Sequence, residues 1–231
     1  MKNLFKYLSI FIITLVMSSS TASAKNQKTL NAYKTGDYST VLREWRPLAN
    51  QGDASAQYNL GVMYANGRGV PENSIEAVKW YRLAAEQGLA RAQYNLGFGY
   101  ANGKGVPQNY YEAVKWYRLA ADQGLARAQL NLGLRYQEGI GVPKNYVEAV
   151  KWFNLAADQG NFVAQDALGM MYASGTGVPE NYVEAYKWWN LSAAQGNDDA
   201  KAKKEDISTL MTRQQIAEGQ RLSREWFNED Q

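Results

Sequence analysis

Two rhythms run through this chain. Apolar residues recur at helical spacing over short stretches, and the whole arrangement repeats every 36 residues, marked by Gly52, Gly88, Gly124, Gly160 and Gly196. Residues 52–87 match 88–123 at 27 of 36 positions. Across the four copies 52–87, 88–123, 124–159 and 160–195, 18 of 36 positions are identical. A period of this length denotes stacked supersecondary units that bury their apolar faces against one another.

Each copy predicts two helices. The first runs from about Ala54 to Tyr64, with Gly67 as its left-handed stop. Gly69-Val70-Pro71 is the turn, and Asn73 caps a second helix that ends at Gln87-Gly88. Glu76, three residues after the cap, is placed to reach back to it as a capping box. Asn109/Glu112, Asn145/Glu148 and Asn181/Glu184 repeat the arrangement. Gly61, Gly97, Gly133 and Gly169 lie inside the first helices, where glycine costs about 1 kcal/mol relative to alanine, so they predict a close approach between helices. Trp80, Trp116, Trp152 and Trp188 share one phase of the second helix and predict core packing, together with Leu60, Tyr64, Ala77, Leu83, Ala85 and their copies.

The ends are imperfect copies. Residues 37–52 align with a second helix, with Trp45 in the place of Tyr81, and 25–35 supply only a shortened first helix. Residues 196–231 read as two polar helices near 197–211 and 213–228, with Lys201, Lys203 and Lys204 on a solvated face. Terminal units of an array need a wet outer side. The expected organisation is a signal peptide at 1–24, an N-terminal partial repeat or cap at 25–51, four repeats at 52–195 and a C-terminal helical cap at 196–231.

Residues 1–24 are expected to be a secretory signal. Lys2 and Lys6 precede the apolar run Leu8–Met17, and Ala22-Ser23-Ala24 offers a cleavage site. That run is about ten residues, short of the ~20 that span a bilayer, so no transmembrane anchor is expected after its removal. The expected location is the periplasm or the medium. The 25 basic and 22 acidic residues give +3, and setting aside Lys2 and Lys6 leaves 23 against 22, or +1. So small an excess argues against a nucleic-acid partner.

With no Cys and no His, the chain lacks Cys/His zinc sites, disulfides and every Cys-His or Ser-His-Asp catalytic arrangement. Gly-Arg-Gly-Val-Pro and its copies lack phosphate-loop spacing and a preceding strand. Asn190-Leu191-Ser192 is a glycosylation-type triplet lying inside a predicted helix. The expectation is a non-enzyme with no catalytic residue, metal or cofactor.

The pattern A-x-A-Q-x-x-L-G-x-x-Y-x-x-G-x-G-V-P-x-N-x-x-E-A-x-K-W-x-x-L-A-A resembles the Sel1-like repeat family, relatives of the tetratricopeptide repeats, over essentially all of 37–200. The tail 211–225 (MTRQQIAEGQRLSRE) is similar to a segment that closes such proteins. The resemblance implies an all-α, right-handed α/α superhelical solenoid acting as an adaptor or scaffold for protein partners. One branch, the Helicobacter cysteine-rich proteins, staples each repeat with a disulfide and is associated with β-lactam binding; this chain has none of those cysteines.

Differences among copies fall mainly at positions 4, 7, 8, 11 and 12 of the first helix, which is one helical face. By resemblance to tetratricopeptide arrays this face lines the concave groove. Its members are Ser55, Tyr58, Asn59 and Val62; Arg91, Tyr94, Asn95 and Phe98; Arg127, Leu130, Asn131 and Leu134; and Val163, Asp166 and Met170. Carboxamides one repeat apart at Asn59, Asn95 and Asn131 offer donors and acceptors to an extended backbone, and Arg91 and Arg127 can hold acidic groups bidentately. Some tetratricopeptide arrays clamp a peptide's C-terminal carboxylate with similar residues. The expected partner is a protein or extended peptide. The alternatives are a glycan or peptidoglycan on the aromatic residues, or a β-lactam-interacting enzyme; oligomeric state is left open.

Overall fold

The computed structural model describes residues 28, 29 and 31–229, all of whose regular elements are helices. The expected signal segment lies outside the described residues, as do residues 25–27 and 30. A short helix α1 covers residues 31–35. There follow α2 (Tyr38–Asn50), α3 (Ala54–Asn66), α4 (Ser74–Glu86), α5 (Ala90–Asn102), α6 (Tyr110–Asp122), α7 (Ala126–Glu138), α8 (Tyr146–Asp158), α9 (Phe162–Ser174), α10 (Tyr182–Ala194), α11 (Asp198–Ser208) and α12 (Arg213–Glu229). The described residues fall into two compact units, the first ending at Leu83 and the second beginning at Ala84.

Turn chemistry fixes the helix ends. The first helices run two residues further than the sequence suggested and stop where Gly67, Gly103, Gly139 and Gly175 turn left-handed. Asn73 Oδ1 accepts from the backbone N–H groups of Ile75 and Glu76, and Asn109, Asn145 and Asn181 cap likewise. The reciprocal half of the expected capping box is not made. The Asn73, Asn109, Asn145 and Asn181 N–H groups instead donate to the carbonyls of Tyr64, Tyr100, Tyr136 and Tyr172, each at 2.9 Å. With that donor taken, Glu76, Glu112, Glu148 and Glu184 turn to Lys79, Lys115, Lys151 and Lys187 three residues on. A reciprocal box does occur at α12, between Thr212 and Gln215.

In the first unit, Val41, Ala49, Ala56, Leu60 and Met63 form the core, with Trp45 and Trp80 against it. A Cβ on Gly61 would lie 2.6 Å from the Tyr81 ring. The second unit repeats this contact. Gly97 faces Tyr117, Gly133 faces Phe153 and Gly169 faces Trp189, all with imagined Cβ contacts below 3 Å. The glycines therefore admit a ring from the partner helix, not its backbone alone.

Trp116, Trp152 and Trp188 are buried as expected, each with an indole N–H that has no hydrogen-bond partner. They pack toward the preceding repeat: Trp152 joins the cluster of Tyr117 and Leu132, and Trp188 that of Phe153 and Leu168. Leu60 and the alanines are core, but Leu83 is not: Leu83, Leu119 and Leu155 are 44%, 42% and 42% exposed, while their copy Leu191 is fully buried. One helical step carries this position past the packed stripe onto the outer side.

The C-terminal region also departs from expectation. α11 ends at Ser208, where the Ser208 and Thr209 hydroxyls donate back to the Glu205 and Asp206 carbonyls. α12 packs chiefly on α10 rather than completing a regular pair with α11. Lys203 and Lys204 are engaged, with Asp166 and Asn190 respectively, rather than lying on a purely solvated face.

Two substitutions test this packing. Gly133→Ala gains about 1 kcal/mol of helix propensity but overpacks Phe153, which costs about 1–3 kcal/mol; urea unfolding should show net destabilisation, relieved in part by adding Phe153→Leu. Trp116→Ala should cost about 3–5 kcal/mol, read from the same transition.

Candidate functional site

Packing consumes one side of α5, α7 and α9 and leaves the face on which the copies differ. None of the fifteen expected groove residues is buried. In the second unit Arg91 and Arg127 are exposed, Phe98 is 42% exposed, and Val163 and Met170 are each 41% exposed. Tyr94, Asn95, Leu130, Asn131, Leu134 and Asp166 are half-buried. In the first unit Ser55 is exposed, whereas Tyr58, Asn59 and Val62 are half-buried.

Half-burial has specific causes. The Tyr94 ring lies 5.8 Å from that of Tyr117, and Tyr58 lies 5.9 Å from Tyr81. Burial pushes the Tyr117 hydroxyl well above its ordinary value, with Tyr94 adding to the rise and Arg135 opposing it. Leu130 and Leu134 pack on a cluster shared by their own repeat and the next. The tyrosines thus brace the two helices of one repeat, while the leucines line the face and join neighbouring repeats.

The expected carboxamide ladder is partly committed within the chain. Asn131 Nδ2 donates to the Arg127 carbonyl at 2.9 Å and reaches the Tyr94 hydroxyl at 3.5 Å. A corresponding lateral contact occurs one repeat later, where Lys203 Nζ lies 2.8–2.9 Å from both carboxylate oxygens of Asp166. The negative charge expected at Asp166 is therefore matched by a lysine of α11. What remains open is a strip of Arg91, Asn95, Phe98 and Arg127, with Val163 and Met170 beyond.

Sequence reasoning missed several residues here. Arg135 occupies the position held by Met63, Gly99 and Met171; its side chain is 18% exposed, lies 5.8 Å from the Tyr110 ring and pairs with Glu138 at 3.5 Å. Arg118 bonds the Tyr136 hydroxyl and sits over its ring at 5.5 Å. The signal for Arg135 was an arginine at a position otherwise filled by methionine or glycine.

Among the described residues no group of three or more Asp and Glu could hold a metal ion. One hollow of about 310 Å³ is lined by Trp189, Lys203, Asp206, Ile207, Thr209 and Leu210. Another, in the first unit, is lined by Leu42, Arg43, Arg46, Pro47 and Asn50. Neither brings two carboxylates together for acid/base work. Asn190-Leu191-Ser192 lies inside α10, with Leu191 and Ser192 fully buried.

The repeat pattern and helix order define a Sel1-type α/α solenoid. The Sel1 repeat profile matches residues 54–89, 90–125, 126–161 and 163–197, and the chain belongs to the Sel1 repeat family. A Sel1 repeat protein from Oxalobacter formigenes is 37% identical and superposes with a TM-score of 0.74, over 78% of this chain and 74% of that one. A protective antigen, c5321, present in uropathogenic Escherichia coli strains and displaying the same fold, is 45% identical with a TM-score of 0.67. The match covers 69% of this chain but 34% of that antigen, so this chain corresponds to about a third of its length. Comparison with curated proteins gives no match. Among the described residues no helix is long and apolar enough to cross a membrane.

The Asp166–Lys203 pair has 17% and 33% side-chain exposure. A double-mutant cycle of Asp166→Asn and Lys203→Met should give a coupling of about 1 kcal/mol, diminishing at high salt. Zero coupling at low salt would show that the pair does not tie α11 to α9.

Proposed function

We propose that this chain is an exported, non-catalytic adaptor that holds a protein, through an extended or acidic segment, on the concave groove formed by the first helices of its repeats. The supporting observation is the open strip of Arg91, Asn95, Phe98 and Arg127 in the second unit: two exposed guanidinium groups one repeat apart, beside an exposed ring. Arginine forks carboxylates through paired N–H donors, and exposed aromatic and Arg side chains are the residues that anchor protein interfaces. The α3 residues Ser55, Tyr58, Asn59 and Val62 bring a carboxamide and half-buried apolar and aromatic side chains to the first unit, without an arginine.

Peptide is favoured over glycan because of where the aromatic side chains lie. Tyr58 and Tyr94 lean on rings of the partner helices, which leaves Phe98 as the exposed ring among the proposed groove residues. The committed donors of Asn131 leave its carbonyl oxygen as the group to receive a peptide N–H. The Sel1 repeat fold is typical of protein-interaction scaffolds, in keeping with this reading. Export rests on the Lys2, Lys6 and Leu8–Met17 pattern.

Residues 25–231, used as bait for affinity capture, supply the test. Arg91→Ala combined with Asn95→Ala should lower affinity for the captured partner at least about tenfold, or ~1.4 kcal/mol, without moving the thermal midpoint. Unchanged affinity would refute the groove assignment. Binding to peptidoglycan fragments in place of any protein would transfer the face to the glycan reading.

A further inference from the structure

The second helices present a different surface. On α6 and α8 the outermost positions carry Tyr111, Lys115 and Leu119, and Val147, Lys151 and Leu155, spaced four residues apart. Tyr111 and Val147 are 77% and 65% exposed, and both leucines are 42% exposed. The Lys115 and Lys151 side chains are 62% and 61% exposed. The lysine and the leucine are identical in all four copies of the repeat. Each lysine has a partner in the preceding glutamate, whereas the Leu119 and Leu155 side chains stay partly in water.

The same positions on α10 are covered, by α12. The Lys187 side chain falls to 17% exposure and Leu191 to zero. Three α12 residues make the cover, spaced i, i+4 and i+7 along one helical face. Gly219 sits so close to α10 that an added Cβ would meet Tyr186 at 2.8 Å and the Val183 carbonyl at 3.3 Å. Ser223 is buried; its hydroxyl donates to the Gly219 carbonyl of its own helix at 2.8 Å and lies 3.4 Å from the Lys187 carbonyl of α10. Trp226 packs on the cluster that contains Leu191 and reaches Gly160, in the loop after α8. Successive α12 residues meet successive α10 residues, so the two helices run parallel. Under this cover Lys187 Nζ settles 4.2 Å from the Trp188 ring centroid, against 5.7 and 5.6 Å for Lys115 and Lys151 on their tryptophans.

We propose that the outer face of α6 and α8 is a second docking surface, and that its occupant is an amphipathic helix of a partner protein lying parallel to α8 as α12 lies on α10. The occupant carries small residues four apart, like Gly219 and Ser223, and a bulky aromatic less than one turn further on, like Trp226. The α12 interface continues toward this surface, because Trp226 ends against the loop that leaves α8. A second copy of the chain is a poor occupant through this same face: turned antiparallel, it sets Lys115 and Lys151 against their own counterparts. This surface lies on different helices from the peptide groove, and the two assignments stand or fall separately.

A labelled synthetic peptide of residues 213–229 is the probe, titrated into the full chain. Saturable binding is expected, and Val147→Asp with Leu155→Asp should weaken it at least tenfold. Both side chains are exposed, so circular dichroism and the thermal midpoint should stay unchanged. A peptide with leucine at the Gly219 and Ser223 positions should not bind. The proposal is overturned by an absence of saturable binding, by binding that ignores Val147→Asp and Leu155→Asp, or by equal binding of the leucine peptide. Attachment of the full chain to phosphatidylglycerol vesicles through these same two residues would also overturn it, in favour of a lipid surface.

Discussion

Everything in the second unit hangs on a glutamine that cannot be left unpaired. Gln93, Gln129 and Gln165 are nearly or fully buried. Each donates Nε2, at 3.2 Å, to a carbonyl in the last turn of the preceding helix: Ala85, Ala121 and Ala157. These carbonyls also accept from the Gly88, Gly124 and Gly160 N–H groups at 2.9–3.0 Å, so the glutamine takes up the second lone pair at the helix end. Each glutamine then accepts, through Oε1, from Gln123, Gln159 and Gln195 at 2.8–2.9 Å. A buried amide that loses a partner costs about 1–3 kcal/mol. Adding or removing a residue in either helix of a pair would shift the second glutamine out of reach, which accounts for the constancy of the 36-residue period. Gln57 makes the matching bond to Ala49 in the first unit.

With register set by these amides, apolar packing can tolerate change at the ring. Tyr81, Tyr117, Phe153 and Trp189 differ in size and polarity, yet each rests on a glycine. The glycine is the constant partner because it supplies space, and several flat rings can use the same space. Variation elsewhere then sorts by what packing leaves alone. The first helices vary on the face that holds Arg91, Phe98 and Arg127, whereas α6 and α8 keep Lys and Leu outside the core.

The helical pairs, left-handed glycine stops, Asn caps and buried Trp phase were legible because each follows from local geometry repeated four times. The capping box was misread at its second half because the Asn73 N–H is claimed by Tyr64 of the previous helix, a contact between helices that no local spacing encodes. Leu83 was misplaced for a related reason. At one step from the packed stripe, helical phase alone does not separate a core leucine from an outer one, and the fate of Leu191 depends on α12. The groove strip was legible as a face, but the commitment of Asn131 to Arg127 and Tyr94 was not, since it requires the rotamer and the neighbouring repeat.

The C-terminal helices give the second unit a direction. On the first-helix side, Lys203 of α11 matches the Asp166 charge just where the carboxamide ladder gives way to Ala167. On the second-helix side, α12 covers Lys187 and buries Leu191. One helix of the cap thus closes each face of the fourth repeat. A terminal repeat must hide apolar surface without offering an edge for further stacking, and α12 does so by crossing to α10 instead of extending the array. The same displacement leaves α6 and α8 uncovered. What is open in this unit is therefore what its own C-terminus does not reach: Arg91 to Arg127 on one side, Tyr111 to Leu155 on the other.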